Sequence, residues 1–359
     1  TNQGNSIQSI LLEDLLPPGL EVIDGDASAL MALPAGATTK LSYDLAGRRG
    51  VYRLAEVRAT ATDRFGLARR QVTLVDEGRL FILPDVEKLP DLTVRPPRTR
   101  VFAGPVPARK GGPGIEFYGV RPYQPGDALH WINQRASARY DNEVHAGHLY
   151  VNEFEQERAA DVGLILDVRR ETNLFPGSRS LLEASVAATA AMADAFLGIG
   201  NRVGLFVYGG GLDWTQPGYG KYQRERILQA LARVRLQEHQ VFKDLGHLPT
   251  RLFPIRSQLV LISPLRLADG DDVVALRARG YQLLAVVPDP VRFEQRSLDD
   301  NANAELAARI VRLQRRQLFQ RLQQAGVQTF EWDVEIPFAS AAQGQLNRPP
   351  RWSRGPGGI

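Results

Sequence analysis

The stretch ADVGLILDVRRET, residues 160–172, decides the fold. Val162, Gly163, Leu164, Ile165 and Leu166 form an unbroken apolar run that closes on Asp167. A strand without polar alternation is buried on both faces, which is the condition of a parallel sheet covered by helices above and below. Four more runs of this kind follow: RVGLFVYG (202–209), QLVLIS (258–263), YQLLAVV (281–287) and VQTFEWDV (327–334). Helical patterns separate them at residues 180–197, 222–234, 271–279 and 304–325. The first helix opens on Ser180 with Glu183 three residues later, the spacing of a capping box. Strand–helix alternation of this kind predicts an α/β fold with a mostly parallel sheet.

Residues 1–83 read differently. The extended runs SIQSILLED, TKLSYDL, VYRLAEVRATAT and RQVTLVDE are separated by turns at LPPG, LPAG, AGRRG and DRFG. Short strands at about ten-residue spacing predict an antiparallel β-sandwich, possessing an N-terminal edge that this segment leaves incomplete. Residues 84–114 carry seven prolines and four glycines, from Pro84 to Gly114, and predict a linker without long regular elements. The α/β domain with the segment leading into it then covers 115–347, and the Pro/Gly-rich tail 348–359 predicts disorder.

A chain of 359 residues suggests about two domains. Its 43% hydrophobic and 23% charged residues supply ordinary globular cores. A net charge of +4 is too small to argue for nucleic acid. The absence of cysteine excludes disulfides, thiolate nucleophiles and Cys-based zinc sites. The most apolar long stretch, 181–199, contains Glu183 and Asp194 and reads as a helix of a globular core rather than a membrane span. The chain opens on Thr1, and membrane attachment through a region upstream of it is an expectation.

The segment GGPGIEFYGVRPYQPGD, followed by RASAR and VNEFEQER, resembles the signature of the DUF58 family, whose members carry a von Willebrand factor A-like domain after a β-sandwich. The matching positions are Gly112, Gly114, Glu116, Phe117, Arg121, Tyr123, Gly126, Asp127, Ser137, Ala138 and Arg139, then Glu153, Phe154, Glu155, Glu157 and Arg158. Asn133 and Gln134 depart from the family pattern, and DNEVHAGHL after Tyr140 looks like an insertion. The resemblance implies work alongside MoxR-type AAA+ ATPases in bacterial complex assembly, with soluble domains on the cytoplasmic side of a membrane.

A metal-ion-dependent adhesion site in such a domain needs D-x-S-x-S after the first strand, so that a carboxylate and two hydroxyls meet a hard cation. Here Arg169 and Glu171 replace the serines, and Pro264 follows QLVLIS where a second acid is expected. A guanidinium repels a cation, so the expectation is a degenerate site without metal or other cofactor. Ligands of open α/β sheets bind beyond the carboxyl ends of the strands. Asp167, Arg169, Arg170, Thr172 and Ser263 are therefore the candidate face for a protein partner, with the arginines capturing a partner carboxylate directly.

The charged signature admits two readings. Glu116, Asp127 and Arg139 could form a hydrolytic site, but nothing in sequence pairs with Ser137 as a base. Charges of both signs, with Arg121, Glu153 and Glu157 among them, suit a salt-bridged latch better, one that pins the linker across the α/β domain; Tyr123 and Gly126 belong to the same family signature. A non-enzymatic scaffold is thus the expectation, with a structural subunit of a membrane assembly as an alternative. His145 and His148 near Glu143 read as a loop rather than a zinc site, because Gly147 argues against the helix that H-x-x-H needs. Gly112-x-Gly114 lacks a preceding strand and Gly218–Lys221 lacks the P-loop ends. The 304–325 helix sets Arg309, Arg312 and Arg316 on one face, with Arg315 and Arg321 beside them. Leu306, Ile310 and Leu313 are expected to form the opposing core stripe, continued by Leu318 and Leu322.

Overall fold

The structure is a computed structural model that describes residues 1–63, 65–89, 100–140, 148–173, 180–209, 211–236, 244–249, 252–254, 257–298 and 301–345. It divides into two units, Thr1–Pro84 with Leu231–Val234, and Asp85–Ala230 with Arg235–Ile359.

The first unit is built of strands. β1 (Ile7–Asp14), β2 (Leu20–Gly25), β3 (Ser28–Leu33), β4 (Tyr43–Gly47), β5 (Gly50–Thr62) and β6 (Arg69–Ile82) follow in chain order. A four-stranded antiparallel sheet runs β3-β1-β5-β6, and β2 pairs with β4 in a second ribbon. All four expected runs are strands. β2 and β3, between the LPPG and LPAG turns, are additional. The Tyr43 hydroxyl donates to Asp14, and burial together with that carboxylate pushes its pKa up to about 12.

The second unit begins with a ribbon. β7 (Arg100–Pro122) pairs antiparallel with β8 (Tyr150–Ala159). Residues 100–114 were expected to lack regular structure, and the strand corrects that. The pairing shifts register repeatedly, at Val101/Pro105, Ala108/Gly111 and Gly112/Phe117 among others. Bulges are how a strand absorbs residues that cannot hold a regular ladder. Between the strands lies α1 (Gln134–Tyr140).

The remaining elements are β9 (Asp161–Asp167), α2 (Leu181–Gly198), β10 (Arg202–Tyr208), β11 (Leu212–Gly218), α3 (Gly220–Arg233), β12 (Gln258–Ile262), α4 (Gly270–Ala278), β13 (Gln282–Pro288), α5 (Pro290–Gln295), α6 (Ala302–Gln324), β14 (Gln328–Trp332) and α7 (Phe338–Gln345). They form one six-stranded sheet in the order β11-β10-β9-β12-β13-β14. Every pair is parallel except β10–β11. Counted within this sheet the order is 3-2-1-4-5-6, that of a doubly wound α/β fold. The five apolar runs are five of its strands; β11 is a short antiparallel edge that the sequence reading lacks.

Every residue of β9, β12 and β13 is buried. Ile165, Phe206, Leu259, Leu261, Leu283, Ala285 and Val287 point to one face, where Val273 and Leu276 of α4 and Leu318 and Leu322 of α6 pack. The strand period of two leaves Leu164, Leu166, Leu205, Val260 and Ile262 for the other face. α2 is apolar on most sides, as a core helix is, with Glu183 exposed and Asp194 paired with Arg224. It is the one described helix long and apolar enough to cross a membrane, with a mean hydropathy of 1.3, but 67% of it is buried inside the fold. Ser180 caps it, its hydroxyl accepting from Leu182 N at 3.2 Å.

The face assignment on α6 needs correction. Leu306, Ile310 and Leu313 are about half exposed, and the buried positions are Ala308, Arg315, Leu318 and Leu322. The expected stripe joined two sets of residues that lie on different helical faces. Spacing of seven, three and four residues selects 308, 315, 318 and 322 as the true buried row.

Candidate functional site: a guanidinium at the switch point of the sheet

Strand order reverses between β9 and β12, and the crevice beyond their carboxyl ends is where open α/β sheets place ligands. β9 ends there on Asp167, and Ser263 directly follows β12. The crevice is filled by the protein's own cation. Arg169 is fully buried, its guanidinium clasped between Asp167 and Asp269.

The geometry is nearly saturated. Arg169 Nε donates to Asp167 Oδ1 at 2.9 Å and Nη2 to Asp167 Oδ2 at 2.8 Å. On the other side Nη1 donates to Asp269 Oδ1 at 2.9 Å and Nη2 to Asp269 Oδ2 at 2.8 Å. Two bidentate carboxylates thus share one fork, the arrangement in which arginine outperforms lysine. Ser263 Oγ donates to Asp167 Oδ2 at 2.6 Å and accepts from Leu265 N at 3.1 Å. Asp269 also accepts from Arg266 N at 2.8 Å and Arg266 Nη2 at 3.1 Å. Thr172 Oγ1 and Asn173 Nδ2 both donate to Arg169 O, at 2.9 Å each, closing the turn that aims the side chain inward. Gly209 admits that turn, since a Cβ there would lie 2.8 Å from Val168 C and Arg169 N.

The electrostatics follow. Burial alone would lower the Arg169 pKa, but hydrogen bonds and charge from both carboxylates raise it. Burial likewise pushes Asp269 up, and Arg169 with Arg266 outweighs it, leaving the carboxyl below the usual range. Arg169 and Asp269 are therefore both ionised at neutral pH. Burial chiefly raises the neighbouring Tyr208 hydroxyl, which donates to Asp244 O.

Of the five expected partner-facing residues, Asp167, Arg169, Thr172 and Ser263 are buried, and Arg170 alone is exposed. Arg169 therefore faces no partner carboxylate in this structure. It is taken by an internal one, because two aspartates converge on it in a desolvated crevice. Asp269 was missed in sequence. An acid was sought directly after β12, where Ser263 and Pro264 stand; Asp269 lies six residues beyond Ser263, on the short 3-10 turn Leu267–Asp269. An aspartate just before α4 was its only trace. Beside the cluster, exposed Glu171 pairs with Arg266.

The charged signature forms a separate cluster. Arg121 Nη1 and Nη2 grip Asp127 Oδ2 and Oδ1 at 2.8 and 2.7 Å, and Nε lies 3.6 Å from Glu153. The Arg121 hydrogen bond holds the Asp127 carboxyl below its usual range. Gly126, at φ +107°, makes the turn between them. Asn133 accepts from Ala136 N at 2.9 Å, capping α1, and donates to Asn152 at 2.7 Å. Ser137 Oγ donates to Asn133 O and accepts from Tyr150 N, both at 2.9 Å. These bonds tie β7, the turn, α1 and β8 to one another. Tyr123 is half-buried and Arg139 exposed. The side chains of Glu116 and Glu157, and His145 with Glu143, lie outside the described residues, as does the tail from 348. Among the described residues no group of three or more His, Asp or Glu is arranged around a common metal position.

The family described as "Protein of unknown function DUF58" matches residues 119–287, just under half of the chain, which supports the DUF58 family. That span holds β8, β9 and the Arg169 cluster. No curated protein matches. One solved structure, an uncharacterized membrane spanning protein from Vibrio fischeri, is 14% identical over 52% of this chain and 96% of its own, with a TM-score of 0.19. A TM-score that low carries no argument about the fold.

Proposed function

We propose that this DUF58-like chain is a non-enzymatic interaction scaffold. In this reading its second unit is a von Willebrand factor A-like domain whose metal position is held by a built-in guanidinium, and its first unit is a β-sandwich. The observation that carries it is Arg169, buried between two carboxylates at the switch point of the sheet. A cation required for recognition elsewhere is here covalently part of the protein, so the crevice is set without a metal. The proposed partner face is the surface that Asp167, Arg169, Thr172 and Ser263 shape from beneath, with Arg170 presented to solvent. Capture of a partner carboxylate falls to Arg170 rather than Arg169.

A MoxR-type AAA+ ATPase as the partner, and association with a membrane, belong to the same proposal and rest on the family resemblance. The hydrolytic alternative finds less support, since Asp127 is held by Arg121 and Ser137 by two backbone groups. The test is affinity purification of the full-length protein from its native cells, with and without ATP, followed by identification of co-eluting proteins. A partner retained in an ATP-dependent manner and weakened by Arg170→Ala supports the reading. Retention at fixed stoichiometry indifferent to ATP, or unchanged by that substitution, overturns it and favours a structural subunit.

A further inference from the structure

A second feature lies at the other side of the same sheet end. α5, α6 and the end of β13 enclose, with β14, a cavity of about 350 Å³ lined by Arg292, Arg312, Arg315, Arg316, Phe319 and Glu331. It adjoins a larger open cleft of about 710 Å³, which shares Arg292 and Arg312. Arg315 is the unusual member. It is 5% exposed, yet Nε and Nη2 make no hydrogen bond.

The other nitrogen explains how the side chain is held. Nη1 donates to Pro264 O and Leu265 O, at 3.0 Å each. Leu265 has φ +51°, the one described non-glycine residue with a positive φ, and its amide is fixed by Ser263 Oγ. Phe319 lies under the guanidinium, 5.3 Å from ring centroid to Cζ. The plane of Arg315 is thus clamped on one edge and one face. The remaining edge, Nε with Nη2, is the pair of parallel donors that matches a carboxylate. Leaving it unmade in a buried position costs free energy that a ligand would recover.

The site's own chemistry indicates which anion fits. Glu331 Oε1 already forms an ion pair with Nε at 3.5 Å, without hydrogen-bond geometry, so an incoming carboxylate displaces an exposed internal one. Asp289 also lines the cavity and its charge reaches Arg315, but its oxygens are engaged: it caps α5 through Val291 N and Arg292 N and pairs with Arg292 at 3.3 Å. Around that edge, Arg316 is exposed and Arg312 spans to Gln295. We propose that this cavity is a carboxylate-binding site, in which the Nε/Nη2 edge of Arg315 receives one carboxylate while Arg312 and Arg316 neutralise further negative charge. An acidic peptide segment lying along the adjoining cleft, or a small polycarboxylate, carries that chemistry. The site connects to the Asp167 cluster through the backbone of Pro264 and Leu265, but the proposal does not depend on the scaffold reading.

The test is calorimetric titration of the intact protein with hexaglutamate, citrate and inorganic phosphate at 0.15 M salt, a condition that screens diffuse attraction. Saturable hexaglutamate binding is expected, weakened about tenfold by Arg315→Lys, which forfeits the bidentate edge. Arg316→Gln also weakens it, Glu331→Gln strengthens it by removing the competing carboxylate, and Arg309→Gln, off the cavity on α6, leaves it unchanged. The two exposed-side variants keep the test open if Arg315→Lys does not fold. Citrate binding as tightly as the peptide, with the same variant pattern, supports the site and assigns it to a small polycarboxylate. No saturable binding, equal loss with Arg309→Gln, or phosphate binding as tight as either carboxylate overturns the proposal.

Discussion

Replacing Arg169 by methionine keeps most of the side-chain volume and removes the charge. The guanidinium makes four hydrogen bonds to Asp167 and Asp269 at 2.8–2.9 Å. Each bond to a charged group is worth roughly 1.5–3 kcal/mol, and the buried guanidinium's own desolvation offsets much of the sum. The larger effect is what remains: two buried carboxylates facing each other. Asp167 keeps the Ser263 hydroxyl, and Asp269 keeps Arg266. Removing one partner of a buried ion pair costs about 3–5 kcal/mol. For a unit of this size that is roughly 6–20 °C in unfolding midpoint.

The pH dependence separates charge from packing. Asp269 sits below its usual range in the native protein. It therefore contributes stability that is present above its unfolded pKa of about 3.9 and fades as pH falls through the lower folded value. In Arg169→Met, Asp269 keeps Arg266 alone against the effect of burial, so its carboxyl is less depressed and it adds less stability as pH rises. The gap between the two proteins should widen from pH 4 to pH 7. Thermal unfolding across that range, followed by near-ultraviolet circular dichroism of the α/β unit, measures it. A loss under 1 kcal/mol at pH 7, or a gap constant with pH, would refute the account of Arg169 as an internal cation.

Three further predictions concern the same crevice and its walls. In Arg169→Ser the oxygens of Asp167, Ser263 and Asp269 lose their internal cation, so 10 mM Mn²⁺ should raise the variant's midpoint and leave the native protein's unchanged; at 100-fold over Kd the gain is about 2.7 kcal/mol. Ser263→Ala removes one hydroxyl that both donates to Asp167 and accepts from Leu265, and chemical denaturation should show a loss of about 1–3 kcal/mol. Gly163→Ala would set a Cβ 2.4 Å from Phe253, whose ring also packs edge-on against Trp214 at 4.7 Å. Overpacking there should destabilise by about 1–3 kcal/mol, with tryptophan fluorescence reporting the displaced ring.

The sequence by itself determined the alternation. Short apolar runs alternating with helical patterns mark strands buried on both faces, and four of the six sheet strands were legible for that reason; β14 was legible from the aromatic residues Phe330 and Trp332 on alternate positions. β11 was not, because Leu212–Gly218 mixes Asp213, Thr215, Gln216 and Pro217, as an antiparallel edge strand permits. α6 shows the limit of periodicity. Leu306, Ile310 and Leu313 suggest a core stripe, yet the sheet chose the row of Ala308, Arg315, Leu318 and Leu322, and those three face outward. That Arg169 and Glu171 follow Asp167, where a D-x-S-x-S metal motif would carry serines, was equally visible. What fills the gap was not. The choice between an arginine turned to solvent and one turned inward rests on Asp269, 100 residues later, which the parallel pairing of β9 and β12 brings to the same desolvated crevice. Local sequence sets which residues line a strand's end; only the tertiary structure sets which charges meet there. In a low-dielectric crevice that meeting outweighs every local preference.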